Sequence, residues 1–470
     1  MPTMSANLIN ATAPPNVYRD RRRRLGASLR RPMTIFAGSA APRNYPANTY
    51  VFRAASTYLY FGGPPIEGAA MLIEPDNDGE SGCVLFREPA GPDDEVWLGP
   101  TPTDANLAGY SGLPVSAVRD LDRLMTSVSG RGAVFAPVVC PHARETARRC
   151  GIADAGPDDL LPIILLRLRK DEHELAAMRR AAKVTIEAHA ASARAIRPGR
   201  IEADVAAAFH AVLTAHQHQP SFNPIISVRG EVLHCSGYPN RLDDGALLLI
   251  DAGSEEPGGY ACDVTRVYPV SGRFTPEQRA VYDAVHRAMS AGVAACTVGT
   301  RYRDVHFLTA KVLCEGLVAA GLLKGDPVSL ADRRAHTLFF THGVGHLIGL
   351  DVHDMEDFGD LAGYAPGRQR PTEFGSKFLR LDRDLEPGMC VTIEPGVYLS
   401  PAIWKRSDLV SPFRDVVNLP QVEALLARHF GGIRLEQTVH IRTKEAGGPE
   451  ALSDALPVAA DEALATMRSG

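Results

Sequence analysis

The sequence lacks any apolar run close to the roughly 20 residues that a membrane-spanning helix needs. The N-terminal segment is polar, contains Pro14 and Pro15, and has no apolar run of the signal-peptide type before Arg19. The eight cysteines are scattered and none forms a CxxC pair, which argues against a zinc–thiolate site and against a disulfide framework. We therefore expect a cytoplasmic protein that does not bind membranes and whose thiols are all unpaired.

The chain also lacks a strong charge of either sign. Its net charge is −5 over 470 residues, so bulk electrostatics give no reason to expect nucleic-acid binding. The one basic cluster, Arg19–Arg24 with Asp20 inside it, has the pattern of a solvated helix face. With 45% hydrophobic and 22% charged residues, the composition predicts a packed globular protein, and the length predicts two or three domains.

Residues 1–168 are predicted to form a smaller α/β domain. Apolar runs bounded by glycine and proline indicate strands at Met33–Phe36, Ala69–Ile73 and Cys83–Phe86. Helical spacing predicts a helix over residues 115–125. The apolar stretch 158–169 is expected to be the last strand of this domain.

A change of pattern marks the predicted boundary between residues 168 and 169. Asp171 can cap a helix that carries acidic residues in its first turn, and Pro198-Gly199 ends that helix. The second predicted domain, residues 169–470, alternates long helices, at about 276–295 and 302–321, with short strands.

Five residues of this second domain each lie on or beside a short apolar strand. They are Asp251, Asp263, His346, Glu394 and Glu436. Four carboxylates brought together in a low-dielectric interior are too costly without cations. Two divalent ions would balance them, and such ions about 3.5–4 Å apart form a hydrolytic centre. Carboxylate-dominated ligation with one imidazole favours Mn²⁺, with Zn²⁺ or Co²⁺ as alternatives.

The short sequence motifs that contain these residues occur in a characteristic order along the chain. They are Ile250–Gly253, Asp263–Arg266, His342–His346, Leu350–Asp354, Glu394–Tyr398 and Arg434–Glu436. Over about residues 171–445 the chain resembles the M24 metallopeptidase family, in its aminopeptidase P and prolidase group. Tyr50–Arg53 and Tyr58–Gly63 resemble the leader domain of aminopeptidase P. The resemblance implies an α+β fold, in which a smaller α/β N-terminal domain precedes a pita-bread (creatinase-like) catalytic domain.

The resemblance also implies roles for the five residues. Asp251, Asp263 and Glu436 would hold one metal ion. Asp263 and Glu436 would bridge to a second ion, which His346 and Glu394 complete, and Glu394 would also shuttle a proton.

Three further histidines match positions of the family. His353 matches the histidine that steadies the tetrahedral intermediate. His234 matches the substrate-side histidine, and His342 matches another histidine of the site. Each of the three could instead orient a metal ligand from outside the coordination sphere.

The activity implied by the resemblance is hydrolysis of the bond before proline, releasing the N-terminal residue of Xaa-Pro peptides. A prolidase, which cleaves Xaa-Pro dipeptides only, is the main alternative, because the long insert before Glu436 carries Arg406 and Arg414, either of which could bind a dipeptide carboxylate. A metal-free binding module, a creatinase-type enzyme and a methionine aminopeptidase are weaker alternatives.

Gln437 stands where the family usually has an acid. The expected partners are proline-containing peptides and further copies of the chain, in a dimer or tetramer.

Overall fold

The computed structural model describes residues 11–87, 93, 96–97, 99–113, 118–119 and 128–468. These residues divide into two compact units. The first comprises residues 1–174, 257–259 and 357–362, and the second comprises 175–256, 260–356 and 363–470. Each unit has its own sheets and its own hydrophobic core.

The first unit is built on a mixed six-stranded sheet with the strand order β6-β5-β4-β1-β7-β8. Its helices are α1 (Pro15–Gly26), α2 (Ser56–Tyr60), α3 (Asp104–Ser111), α4 (Pro141–Arg149) and α5 (Pro157–Leu168). Its strands are β1 (Met33–Phe36), β2 (Pro42–Tyr45), β3 (Asn48–Thr49), β4 (Ala70–Ile73), β5 (Cys83–Phe86), β6 (Val118–Arg119), β7 (Val134–Phe135) and β8 (Ala153–Asp154). Strand β1 pairs antiparallel with β4 and parallel with β7, and the three predicted strands are confirmed as β1, β4 and β5.

Two predictions for this unit were wrong. The stretch 158–169 is not a strand, since most of it lies in helix α5, which begins with Pro157 at its first position. Asp159 accepts a hydrogen bond from the backbone nitrogen of Gly156 (2.8 Å), and this cap competes successfully with the strand-like apolar run. Of the helix predicted over 115–125, the two described residues belong to strand β6, and the other positions lie outside the described residues.

The basic cluster on α1 is not a solvated face, because two of its arginines are buried. Arg22 is fully buried, and its guanidinium donates to the backbone oxygens of Gly79 (2.8 Å), Phe61 (2.9 Å) and Ser111 (2.9 Å). Burial lowers the pKa of Arg22 to about 10. Arg21 donates to the backbone oxygen of Tyr60 (2.9 Å). The pattern of charges alone did not reveal that carbonyl groups of this unit enclose these side chains.

The second unit contains several small antiparallel sheets with helices around them. Its strands are β9 (Gln219–Pro220), β10 (Ile225–Ser227), β11 (Leu247–Asp251), β12 (Ser254–Glu255), β13 (Thr265–Pro269), β14 (Cys390–Ile393), β15 (Gly396–Tyr398), β16 (Gly432–Arg434), β17 (Gln437–His440) and β18 (Glu450–Ala451). The sheets have the orders β10-β11-β13, β14-β17-β18, β15-β16 and β12-β9. A core that includes Phe209, Leu248, Ile250 and Tyr268 lies beside β11 and β13.

The helices from residue 172 onward frame these sheets. They are α6 (Glu172–Ala195), α7 (Glu202–Ala215), α8 (Pro276–Ala295), α9 (Tyr302–Ala319), α10 (Pro327–Asp332), α11 (Asp360–Gly363), α12 (Pro401–Trp404), α13 (Ser407–Val410), α14 (Leu419–Ala427) and α15 (Ala460–Thr466). Single 3₁₀ turns form at Ala335–Leu338, Glu356–Phe358, Ser376–Phe378 and Ser411–Phe413. The two predicted long helices are confirmed as α8 and α9, which pack against each other. The predicted cap is confirmed as well, since Asp171 accepts from the backbone nitrogens of His173 (2.9 Å) and Glu174 (3.0 Å).

The eight cysteines are all free thiols, as predicted. Within the described part of the chain, no helix combines the length and the apolar character that crossing a bilayer requires.

Candidate metal centre and substrate cavity

Strand ends bring the four predicted carboxylates of the metal centre to a cavity, which His346 lines from an irregular segment. Asp251 ends β11, and Asp263 lies two residues before β13. Strands β14 and β17 pair as far as Ile393 and Gln437, while in the pairing of β15 with β16 the residues nearest this point are Gly396 and Arg434. Glu394 and Glu436 therefore lie opposite each other, where both paired strands are interrupted.

The structure places atoms of these residues within reach of a common cation. Asp263, His346 and Glu436 each offer one ligand atom, and these atoms all lie within 4.8 Å of one another. His346 Nε2 is 3.5 Å from Asp263 Oδ2 and 3.6 Å from Glu394 Oε1. All five residues line the same cavity, which has a volume of about 1120 Å³.

The donor set fits divalent cations. Asp263 Oδ1 and Glu436 Oε1 are buried and accept no hydrogen bond from the described residues. Such oxygens are rare in folded proteins unless an ion or water binds them. Burial, together with the charge of Asp251, raises the pKa of Asp263 to about 8. Burial and neighbouring carboxylates also raise the pKa of Glu436 well above its ordinary value, so the cation-free cluster resists full ionisation.

The ring of His346 is oriented as a metal ligand requires. Its Nδ1 lies 2.9 Å from the backbone oxygen of Leu347, and a carbonyl oxygen only accepts hydrogen bonds. Nδ1 therefore carries the proton, and Nε2 presents its lone pair toward Asp263 and Glu394. Burial lowers the pKa of His346, which also favours the neutral, ligating form.

Arg434 supports the cluster and was not assigned a role from the sequence. Its guanidinium donates to Asp251 Oδ2, to the hydroxyl of Tyr398 (2.8 Å) and to Thr265 Oγ1 (3.2 Å). Thr265 in turn donates to Glu436 Oε2 (2.7 Å). Strand alternation already placed Arg434 on the same face as Glu436, and this was the only signal that could have identified it.

The three other predicted histidines all line the cavity. His342 lies 3.9 Å from Glu394, measured from Nδ1 to Oε2. Both of its ring nitrogens are engaged by the chain: Nδ1 donates to the backbone oxygen of Gly343 (2.8 Å), and Nε2 accepts from the Tyr398 hydroxyl (2.8 Å). Burial and the charge of Arg434 lower the pKa of His342 to about 3, so the ring is neutral and fixed.

His353 is half-buried, and its ring centroid is 4.0 Å from that of His346. Its Nδ1 donates to Glu356 Oε2 (2.6 Å), and the side chain of Arg380 binds the other oxygen of Glu356. Both Glu356 and Arg380 line the cavity, and neither was assigned a role from the sequence. The two arginines proposed for a dipeptide carboxylate do not line it, since Arg406 pairs at the surface with Asp408 and Arg414 is exposed.

His234 lies on an exposed loop, residues 228–240, that one buried carboxylate holds at both ends. Glu202 is fully buried and accepts from the backbone nitrogens of Val228 (2.8 Å) and Asn240 (3.0 Å). The side-chain amide of Asn240 also donates to it (2.9 and 3.0 Å). Glu202 was missed because its partners lie 26 and 38 positions away in the sequence.

Gln437, which follows Glu436, is buried and accepts a hydrogen bond from the hydroxyl of Ser453. It does not line the cavity.

Comparison with known proteins agrees with this geometry. Residues 176–443 match metallopeptidase family M24, and residues 18–134 match the N-terminal domain of aminopeptidase P. The chain is 32% identical over 387 residues to the Xaa-Pro aminopeptidase of Escherichia coli, covering 78% of this chain and 82% of that protein. Among solved structures it is similar to proline aminopeptidase P II from Yersinia pestis (TM-score 0.78, 28% identity, 97% of this chain and 100% of that one). It is also similar to zinc-substituted E. coli aminopeptidase P in complex with product (TM-score 0.78, 27% identity, 97% and 98%).

These matches confirm the predicted fold class, an N-terminal α/β domain followed by a pita-bread catalytic domain. The M24 match covers more than half of the chain and includes every residue of the candidate centre. The chain therefore belongs to metallopeptidase family M24.

Proposed function

We propose that this chain is a metal-dependent Xaa-Pro aminopeptidase, which hydrolyses the amide bond before a proline at the second position of a peptide and releases the first residue. The observation that carries the proposal is the cluster of four carboxylates and His346 on the cavity wall, with two buried oxygens that accept no hydrogen bond from the described part of the chain. Similarity to Xaa-Pro aminopeptidases along most of the chain supports this activity over a binding module, a creatinase-type enzyme or a methionine aminopeptidase.

Two divalent ions fit the residues of the cluster. Asp251, Asp263 and Glu436 would hold one ion, and Asp263, Glu436, His346 and Glu394 would hold the second. When bound, such ions supply Lewis acidity and activate water for attack on an amide. Mn²⁺ is the preferred ion for this oxygen-rich set, and Zn²⁺ and Co²⁺ are the alternatives.

Side chains of the protein bind the substrate and transfer the proton. Glu394, beside His346, accepts a proton from the attacking water and delivers it to the proline nitrogen as the bond breaks. An Xaa-Pro bond has no N–H, so recognition depends on the free amine and the ring of proline rather than on that hydrogen bond. The buried carboxylates attract the amine, and Phe222 and Phe378 offer apolar surface on the cavity wall.

The three histidines other than His346 have different proposed tasks. His353 keeps Nε2 for the substrate because its Nδ1 is bound to Glu356, and it steadies the tetrahedral intermediate. His234 acts from the substrate side. His342 is a positioning residue, because both of its nitrogens already have partners in the chain.

Prolidase activity is the second candidate, and the position of Arg380 favours it. Arg380 lines the cavity and could bind the carboxylate of an Xaa-Pro dipeptide. The two functions separate when the manganese-loaded protein is given Gly-Pro and, separately, Gly-Pro-Ala. Cleavage of the tripeptide with release of glycine supports the aminopeptidase, whereas exclusive cleavage of Gly-Pro refutes it.

Assembly and compartment are also part of the proposal. We propose a homodimer or homotetramer in the cytoplasm, where the eight free thiols stay reduced. Light scattering measures the assembly, and thiol titration of the denatured, unreduced protein is expected to detect eight thiols.

A further inference from the structure

Three side chains linked by hydrogen bonds, those of His353, Glu356 and Arg380, form part of the cavity wall beside the metal centre. The Nδ1–H group of His353 donates to one oxygen of Glu356, and the guanidinium of Arg380 binds the other oxygen. Burial alone would raise the pKa of Glu356, but the hydrogen bond from His353 and the charge of Arg380 lower it to about 2. Glu356 is therefore a carboxylate throughout the neutral pH range, and both of its oxygens are occupied.

Arg380 is the cationic group of the cavity wall that a substrate carboxylate could reach. Among the described residues that line the cavity, the guanidinium groups belong to Arg380 and Arg434. Arg434 is 5% exposed and bound to Asp251 and Tyr398, whereas the side chain of Arg380 is 38% exposed. An incoming carboxylate at Arg380 would meet a guanidinium whose charge Glu356 already balances.

On the basis of the proposed function, we propose that Glu356 determines substrate length: by occupying Arg380, it disfavours Xaa-Pro dipeptides relative to longer peptides. A dipeptide carries its carboxylate directly on the proline. In a longer peptide an uncharged amide takes that place, and its carbonyl oxygen can accept a hydrogen bond from Arg380 without meeting a like charge. The Glu356 carboxylate repels only the dipeptide.

The test compares Gly-Pro with Gly-Pro-amide, which differ only in the charge at this position. In the manganese-loaded enzyme, Glu356→Gln removes the negative charge and keeps an acceptor for His353 Nδ1. We expect the ratio of kcat/KM for Gly-Pro to that for Gly-Pro-amide to rise about twofold to fivefold, which corresponds to a partly exposed charge pair. The change is expected in KM, since the group acts on binding.

The gain is expected to depend on Arg380. In the double variant Glu356→Gln/Arg380→Ala the ratio should fall to or below the wild-type value, because the freed guanidinium is then gone. Asp408→Asn is a matched control: it also frees an arginine, Arg406, from a carboxylate, but this pair lies at the surface away from the cavity. The ratio should be unchanged in this control.

A purely orienting role for Glu356 predicts a different result. If Glu356→Gln lowers kcat equally for both substrates and leaves their ratio unchanged, Glu356 acts only on His353 and the inference is wrong. Calorimetric binding of Gly-Pro and Gly-Pro-amide gives the same ratio independently of turnover. A wild-type protein that hydrolyses neither the two compounds nor Gly-Pro-Ala would refute the proposed function, while the binding ratio still tests Glu356.

Discussion

A buried cation in the N-terminal unit and two buried carboxylates in the catalytic unit are satisfied differently. The N-terminal unit buries Arg22, whose Nε and Nη1 donate to three backbone carbonyl oxygens while Nη2 has no partner among the described residues. The catalytic unit buries Asp263 and Glu436, and each keeps one oxygen without a hydrogen-bond partner among the described residues. The first charge is isolated and has carbonyl acceptors from the chain, whereas the second group consists of crowded like charges that a cation would balance.

This difference separates structural buried charges from functional ones. A buried charge whose partners all belong to the chain stabilises the fold. A buried cluster of like charges whose oxygens lack donors among the described residues indicates a cation. Variants in both units test this distinction between structural and functional buried charges.

The largest effect is expected at Asp263. Asp263→Asn removes the proposed shared ligand, and since loss of a group that merely orients a ligand typically costs 10–100-fold, turnover should fall by more than about a hundredfold. Metal content after loading and dialysis should fall as well. Without metal, the variant should unfold at the same temperature as wild type or higher, because a buried like charge has been removed. Normal turnover with added Mn²⁺ would contradict the two-metal centre.

Arg22→Ala should act on stability alone. Three buried carbonyl oxygens lose their donor, and we expect the N-terminal unit to lose about 3 kcal/mol of unfolding free energy. Denaturant unfolding followed by circular dichroism measures this loss. Arg23→Ala is the matched control on the same helix, since Arg23 is exposed and paired with Asp20. A loss of bound metal with unchanged stability would reverse the assignment of Arg22 as structural.

Buried histidines extend the comparison to groups that remain neutral. Burial lowers the pKa of His306 to about 4 and that of His336 to about 3. The unfolded chain therefore binds protons first as the pH falls below about 6.5, and stability is lost from there down to the folded-state pKa values. Between pH 7 and pH 5 we expect a loss of about 1–2 kcal/mol per histidine.

The measurement for this pair is the shift of the unfolding midpoint between pH 7 and pH 5. The double variant His306→Leu/His336→Leu should show a smaller shift than wild type. His142→Ala, at an exposed position, is the control and should shift as wild type does. An equal shift in all three proteins would mean that these two histidines do not control acid stability.

The smallest effect is expected for variants of Glu202. They also test directly whether a buried carboxylate that the chain itself satisfies binds no metal. It is a fully buried carboxylate of the catalytic unit, but amide groups satisfy it, so it should bind no metal. Glu202→Ala frees both ends of the loop that carries His234, and KM should rise about tenfold with a smaller change in kcat. Glu202→Gln retains acceptor capacity and should recover part of the affinity. A drop in metal content in either variant would contradict the rule.

The sequence predicted the centre better than its surroundings. The four carboxylates of the metal centre each lie at or near the end of a short strand, and this local pattern can be read without knowing the fold, whereas His346 lies in an irregular segment. The partners of these residues cannot be read in the same way. Asp251 and Arg434 are 183 positions apart, and only strand pairing brings them together.

The errors have a similar physical origin. Helix α5 was predicted as a strand because a short apolar run fits either element, and a single capping contact from Asp159 decides between them. Arg22 was predicted to be solvated because helix spacing reveals neither the carbonyl groups that enclose it nor the residues that supply them. Arg406 and Arg414 were favoured for their position in an insert, but the fold directs Arg380 to the cavity instead.

The separation of Asp251 from Arg434 in the sequence also determines how late in synthesis these two residues can pair. At about 5–20 residues per second, the ribosome needs roughly ten to forty seconds to supply the second partner after the first. During that interval the N-terminal unit can already fold, while the acidic strand ends of the catalytic unit have no counterpart. The complete ligand set therefore exists only after Glu436 has been synthesised, so the centre is assembled late in biosynthesis.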